Sequence, residues 1–81
     1  MPKAKVIIVM PAYLAEKTLE DTVLNLPRVY DEIIICDDAS HDKTFEISNN
    51  LEAISLKHSI NLGYGANQKT LYKEALSLIH I

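Results

Sequence analysis

The stretch Asp31 to Ser40, DEIIICDDAS, constrains the fold more than any other part of the chain. An apolar run of Ile33, Ile34, Ile35 and Cys36 stops abruptly at two adjacent carboxylates, Asp37 and Asp38. Four apolar residues in succession, most of them β-branched, describe a strand buried on both faces, as in a parallel sheet covered by helices. In an open α/β sheet, ligands bind in the crevice outside the carboxyl ends of the strands. A pair of acids there stands where a ribose, a base or a metal would be met, which points to nucleotide chemistry.

Around this stretch the chain alternates. Lys5 to Met10 (KVIIVM) is a second continuous apolar run, ended by Pro11, and is expected to be the first strand. Ala15 to Leu26 has a helical pattern, with Leu19, Val23 and Leu26 on one face, and Pro27 stops it. After the Asp31 to Cys36 strand, Asp42 can cap a helix over Lys43 to Leu51. Its inner face would be Phe45, Ser48 and Leu51, or Thr44, Ile47 and Leu51. Ala53 to Lys57 is a short third strand with Ile54 and Leu56 alternating. His58 to Ala66, with both glycines of the chain, Gly63 and Gly65, reads as a loop. Asn67 to Ile79 is a third helix with Leu71, Ala75 and Leu78 on one stripe and Tyr72, Leu76 and Ile79 beside it. Right-handed crossovers turn this β-α-β-α-β-α order into a parallel sheet with flanking helices, a Rossmann-like arrangement, with the first strand expected at its centre or becoming central once more chain is added.

Composition narrows the function classes. With 81 residues the chain makes at most one small domain, and 48% apolar with 23% charged residues is an ordinary globular mix. A net charge of −3 without a basic block gives no footprint for nucleic-acid phosphates. His41, His58 and His80 make no metal-ligand spacing. Cys36, the single cysteine, excludes an internal disulfide and reads as an inert buried thiol of a reducing compartment. No run approaches the ~20 apolar residues of a membrane span, and Lys3 and Lys5 precede too short an apolar run for a secretory signal. A cytoplasmic location is the resulting expectation. The last helix runs into Ile79-His80-Ile81 with no glycine cap and no following strand. Residues 1–81 are therefore expected to be the front part of a larger domain, with one sheet edge left open.

The loops after the strands, 11–16, 37–42 and 58–66, must gather at one end of a parallel sheet. Tyr13 could stack on a base there, Asp38 could accept hydrogen bonds from base or ribose, and Gly63 and Gly65 would allow close backbone approach. Plainer roles compete: Asp37 or Asp38 serves equally well as a turn cap, and Tyr13 as a partly buried core aromatic. Glu16 suits the first turn of a helix, and Lys69 a solvated helix face. The first strand is followed by PAYLAE, which lacks the glycines of a dinucleotide fingerprint or a phosphate-binding Walker loop. A receiver domain would carry its acid pair after the first strand, which here ends in Met10-Pro11.

VIIVMPAY, AEKTL, DEIIICDDASHDKT and NLGYGANQKT together resemble the nucleotide-sugar-binding half of family 2 glycosyltransferases with the GT-A fold. The similarity is nearest to the branch of dolichol-phosphate mannose synthase and polyprenyl-phosphate sugar transferases, and it covers essentially the whole chain. The resemblance implies an inverting transferase in which this segment binds a UDP- or GDP-linked sugar. Pro11, Ala12 and Tyr13 would contact the nucleotide, Asp38 the base or ribose with the Cys36 backbone nearby, and Lys69 would approach the nucleotide from the third loop. Asp37, Glu16, Gly63 and Gly65 would support these contacts. The acceptor implied is polyprenyl phosphate or a glycan, at the cytoplasmic face of a membrane.

Two departures qualify the match. Many family members read P-A-Y-N-E-E, whereas here Leu14 and Ala15 replace the Asn and the first Glu, so the choice between guanine and uracil is open. The family's D-x-D metal motif belongs after a further strand, so the Mg²⁺ or Mn²⁺ expected for the full-length enzyme finds no ligands in these residues. The 81 residues alone are expected to transfer no sugar. The rival readings are a non-catalytic nucleotide-binding remnant and a receiver-like α/β interaction module.

Overall fold

The computed structural model describes residues 6–79. Its elements are β1 (Ile7–Ala12), α1 (Leu19–Leu24), β2 (Glu32–Asp37), α2 (Thr44–Asn50), β3 (Ile54–Lys57) and α3 (Tyr64–Ile79). The strands form one parallel sheet in the order β1-β2-β3, with Pro11 opposite Cys36 and Cys36 opposite Leu56. The α/β architecture is the one expected, but β2, not β1, is central among the described strands. Lys5, His80 and Ile81 lie outside the described residues.

Walking β1 to β2 to β3 in one direction, with crossovers of one hand, puts both crossover helices on the same face. That face holds Ile33 and Ile35 of β2, packed with Leu19 and Val23 of α1 and with Ile47 and Leu51 at α2. The other face holds Ile34 and Cys36, covered by Leu71, Ala75 and Leu78 of α3. Successive β2 residues thus enter different cores, which is why the run had to be apolar without interruption. Burying each of these isoleucines is worth about 1.5–3 kcal/mol. On α3 only the Leu71 stripe is used inward; Tyr72 and Leu76 are exposed.

Several boundaries shift for local reasons. β1 runs through Pro11 to Ala12 rather than ending before the proline. The Ala12 carbonyl accepts from Asp38 N, so the alternate residue, Pro11, turns its missing N–H away from β2. α1 begins at Leu19 instead of Ala15, because residues 15–18 form a turn whose first two amides are held by Thr44 and Asp42. Leu19 and Val23 still face the core as their spacing required, while Glu16 lies in that turn and not in a helical first turn. In α2 the inward residues combine the two expected stripes: Thr44 and Ser48 are buried, and Ile47 and Leu51 join the core. Phe45 is half-buried beneath the Lys57 ammonium, 5.2 Å from its ring centroid. α3 starts at Tyr64, so the loop expected to reach Ala66 is shorter and Gly65 is helical. Gly63, at φ +92, makes the reversal that glycine tolerates, and its carbonyl accepts from Asn67 N to launch the helix.

Candidate functional site

Parallel strands deliver their three following loops to one end of the sheet, and side chains from the DDASHDKT segment tie those loops together. Asp37, fully buried, accepts from the Ser40 amide and hydroxyl, closing a turn in which Ala39 is held at φ 63. Ser40 Oγ in turn accepts from Leu14 N at 2.8 Å. Asp42 accepts from Thr44 N and its hydroxyl, and Thr44 Oγ1 accepts from Ala15 N at 2.8 Å. Glu16 N donates to the other Asp42 oxygen at 3.4 Å. Three successive amides of the first loop, one of them in left-handed Leu14 (φ 52), are therefore held by the second. Asp42 lies one residue before the α2 N-cap, Lys43, so instead of the expected helix cap it makes an Asx turn, its oxygen accepting from the amide two residues on. Asp37 thus holds the second loop's own turn, whereas Glu16 takes part through its backbone amide only and its side chain is exposed.

Asp38 does something different. Its Oδ1 accepts from Leu62 N at 2.9 Å and His58 Nδ1 at 2.8 Å, and its Oδ2 accepts from Gly63 N at 2.8 Å. This one carboxylate thus gathers three donors of the third loop, whose first amide, His58 N, also donates to the Asp37 carbonyl. Burial alone would raise its pKa, but the Leu62 amide, the His58 ring and the Gly63 amide outweigh that and hold it below the ordinary value of 3.8. His58 Nε2 lies 2.8 Å from Thr70 Oγ1, so the ring bridges β2 to α3.

Between the first and third loops lies a cleft of about 280 Å³. Pro11, Ala12, Tyr13 and Asp38 form one part of its lining. Asn61, Gly63, Tyr64 and Asn67 form the rest. Tyr13 is exposed and its ring borders the cleft rather than entering either core, so the core-aromatic alternative does not apply. Lys69 is exposed and does not line the cleft. It lies two residues beyond Asn67, which on an α-helix is about 200° around the axis, so Asn67 and not Lys69 is the α3 side chain at the cleft. A Cβ at Gly63 or Gly65 would meet nothing within 4 Å, so neither provides a close approach between parts of the chain.

The Glycosyl transferase family 2 model matches residues 7–79, a span that contains all of these loops. The chain belongs to glycosyl transferase family 2. It is 37% identical over 75 residues to an uncharacterized protein of Methanocaldococcus jannaschii, covering 91% of this chain and 31% of that one. It is also 35% identical, over 89 aligned positions, to a UDP-N-acetylglucosamine–dolichyl-phosphate N-acetylglucosaminyltransferase of Methanococcus voltae, covering 88% of this chain and 36% of that one. The chain spans about a third of the length of these relatives. No solved structure matches it significantly.

In this family 2 chain, Cys36 meets the cleft wall through its backbone, and its Sγ lies 3.7 Å from His58 Nε2. Its carbonyl accepts from Asn67 Nδ2 at 3.0 Å, while its thiol is buried under α3. Burial, reinforced by the charges of Asp38 and Asp37, pushes the thiol pKa up to about 11, which works against a nucleophilic thiolate near neutral pH. Asp37, Asp38 and Asp42 do not fit a metal centre either, since their oxygens are turned to N–H and O–H donors of the chain. Asn61, Tyr64, Asn67 and His58 were not singled out from the sequence. Asn67 had a signal: it extends the buried Leu71–Ala75 stripe one turn upstream, where a polar residue calls for a partner.

Proposed function

We propose that this chain holds the nucleoside of a nucleotide-sugar donor while the whole protein transfers the sugar. The observation that carries this reading is the cleft at the carboxyl ends of β1 and β2, which brings together Pro11, Ala12, Tyr13 and Asp38 from separate segments. Tyr13 offers an exposed aromatic face for a base. Asp38 Oδ2 accepts a single amide, which leaves it capacity for one more donor from base or ribose. A volume of about 280 Å³ suits a nucleoside better than an entire nucleotide sugar. The sugar and diphosphate would extend past this wall.

The transfer itself is read as inverting: an acceptor hydroxyl, deprotonated by a carboxylate, displaces the nucleoside diphosphate in line from the anomeric carbon. Polyprenyl phosphate is the acceptor favoured by the relative named for dolichyl phosphate, with the reaction at the cytoplasmic face of a membrane. Among the described residues no helix is long and apolar enough to cross a membrane. The Mg²⁺ or Mn²⁺ that would neutralise the leaving diphosphate requires ligands other than the three committed acids.

Calorimetric titration of the chain with UDP and with GDP, after circular dichroism has shown it folded, tests the central claim. Saturable binding of at least one is expected. Absence of heat with both, on folded protein, would remove the nucleoside from the reading.

A further inference from the structure

One buried polar atom in the cleft wall is left over after every internal bond has been assigned. Asn67 is 2% exposed, and its Oδ1 has no hydrogen-bond partner among the described residues. The orientation of the amide is set by its other end, because Nδ2 donates to the Cys36 carbonyl. Turning it over would oppose two oxygens and strand the donor instead. A buried acceptor without a partner is costly, and this one belongs to a side chain that lines the cleft beside Asp38 and Tyr64. The second side-chain acceptor there, Asp38 Oδ2, has one amide donor. Both groups ask an incoming ligand for N–H or O–H.

We propose that Asn67 Oδ1 accepts a hydrogen bond from the nucleoside and selects for ligands that carry a donor at that point. The inference rests on the nucleoside reading of the cleft. Bulk water does not reach Oδ1, so a seated ligand pairs with it by displacing part of the cleft wall that Tyr13 and Tyr64 share with Asn67. Two parts of a nucleoside supply the required donor. One is the ring N–H of uracil or guanine, which in cytosine and adenine is a bare lone pair. The other is a ribose hydroxyl. In either case a ligand lacking the donor leaves Oδ1 buried and unpaired, which weakens binding by about ten- to a hundredfold.

The test titrates the chain with UDP, GDP, CDP, ADP and the 2′- and 3′-deoxy forms of UDP, then repeats the series on Asn67→Ala. If the base is read, CDP and ADP bind more weakly than UDP and GDP; if the ribose is read, a deoxy ligand does. In both cases Asn67→Ala should erase that difference. Should Asn67→Ala not fold, the wild-type side-chain carbonyl ¹³C resonance of Asn67 serves instead. It should move downfield with UDP or GDP and stay in place with the ligand lacking the donor. A preference that survives in Asn67→Ala, no preference at all, or an unmoved carbonyl resonance overturns the role of Asn67 alone. Failure of the folded chain to bind UDP or GDP removes the nucleoside reading and this inference with it.

Discussion

Two joints hold the loops at the carboxyl end of the sheet, and they are built in opposite ways. The first loop is fastened to the second by separate acceptors, Ser40 Oγ, Thr44 Oγ1 and Asp42 Oδ2, on the consecutive amides of Leu14, Ala15 and Glu16. Past its first residue, whose amide donates to the Asp37 carbonyl, the third loop is fastened at the end of β2 by the Asp38 carboxylate, which takes two amides and an imidazole. A distributed joint survives the loss of one member, whereas a concentrated one does not. The concentrated joint is also the one that lines the cleft. At Asp38, therefore, stability and ligand binding are carried by the same oxygens, and a variant there reports on both.

Acid challenges both joints together and is expected to have the largest effect. Asp42 is held below 3.8 first by the Thr44 hydroxyl, and Asp38 by its amide and imidazole donors against the opposing effect of burial. A carboxyl whose folded pKa lies below its unfolded value stabilises the fold above the unfolded value and loses that contribution as pH falls through the folded one. The thermal midpoint followed by circular dichroism should be level near neutrality and fall as pH drops below about 4. A midpoint unchanged down to about pH 2 would show that charge at neither joint matters.

Asp38→Asn breaks the concentrated joint selectively. The side chain keeps its size, but one end becomes an NH₂ facing an N–H donor. A loss of about 2–3 kcal/mol in urea unfolding is expected, together with loss of nucleotide binding. Ser40→Ala, at the distributed joint, should cost only about 1 kcal/mol, because Thr44 and Asp42 still hold their amides. Equal losses from the two substitutions would erase the distinction between the joints.

Much of this was legible in the sequence, for physical reasons that differ by region. The Ile33–Cys36 run could hardly be anything but a strand with two covered faces, and Leu19 and Val23 faced inward as their spacing demanded. Asp37 closes a turn and Asp38 lines the cleft, but Asp38 also fastens a loop, a double use that adjacency in sequence does not reveal. What escaped depended on long-range geometry. Whether Pro11 ends a strand depends on which side its neighbours' carbonyls face, and strand order depends on the packing of all helices. The start of α3 was misplaced because Gly63 and Gly65 look alike in sequence, yet only Gly63 needs positive φ. That shift moved the helical wheel's origin and hid Asn67 behind the more conspicuous charge of Lys69. His58 shows no local pattern, since its partners Asp38 and Thr70 come from β2's end and α3.

The lone thiol gains a use from its position. Cys36 sits next to last in β2, the central one of the described strands, beside the acid pair and packed with Leu71. A thiol reagent meets it only when β2 and α3 part company. At a fixed pH its rate of alkylation therefore follows how often the sheet opens, giving the molecule a native clock for its own unfolding.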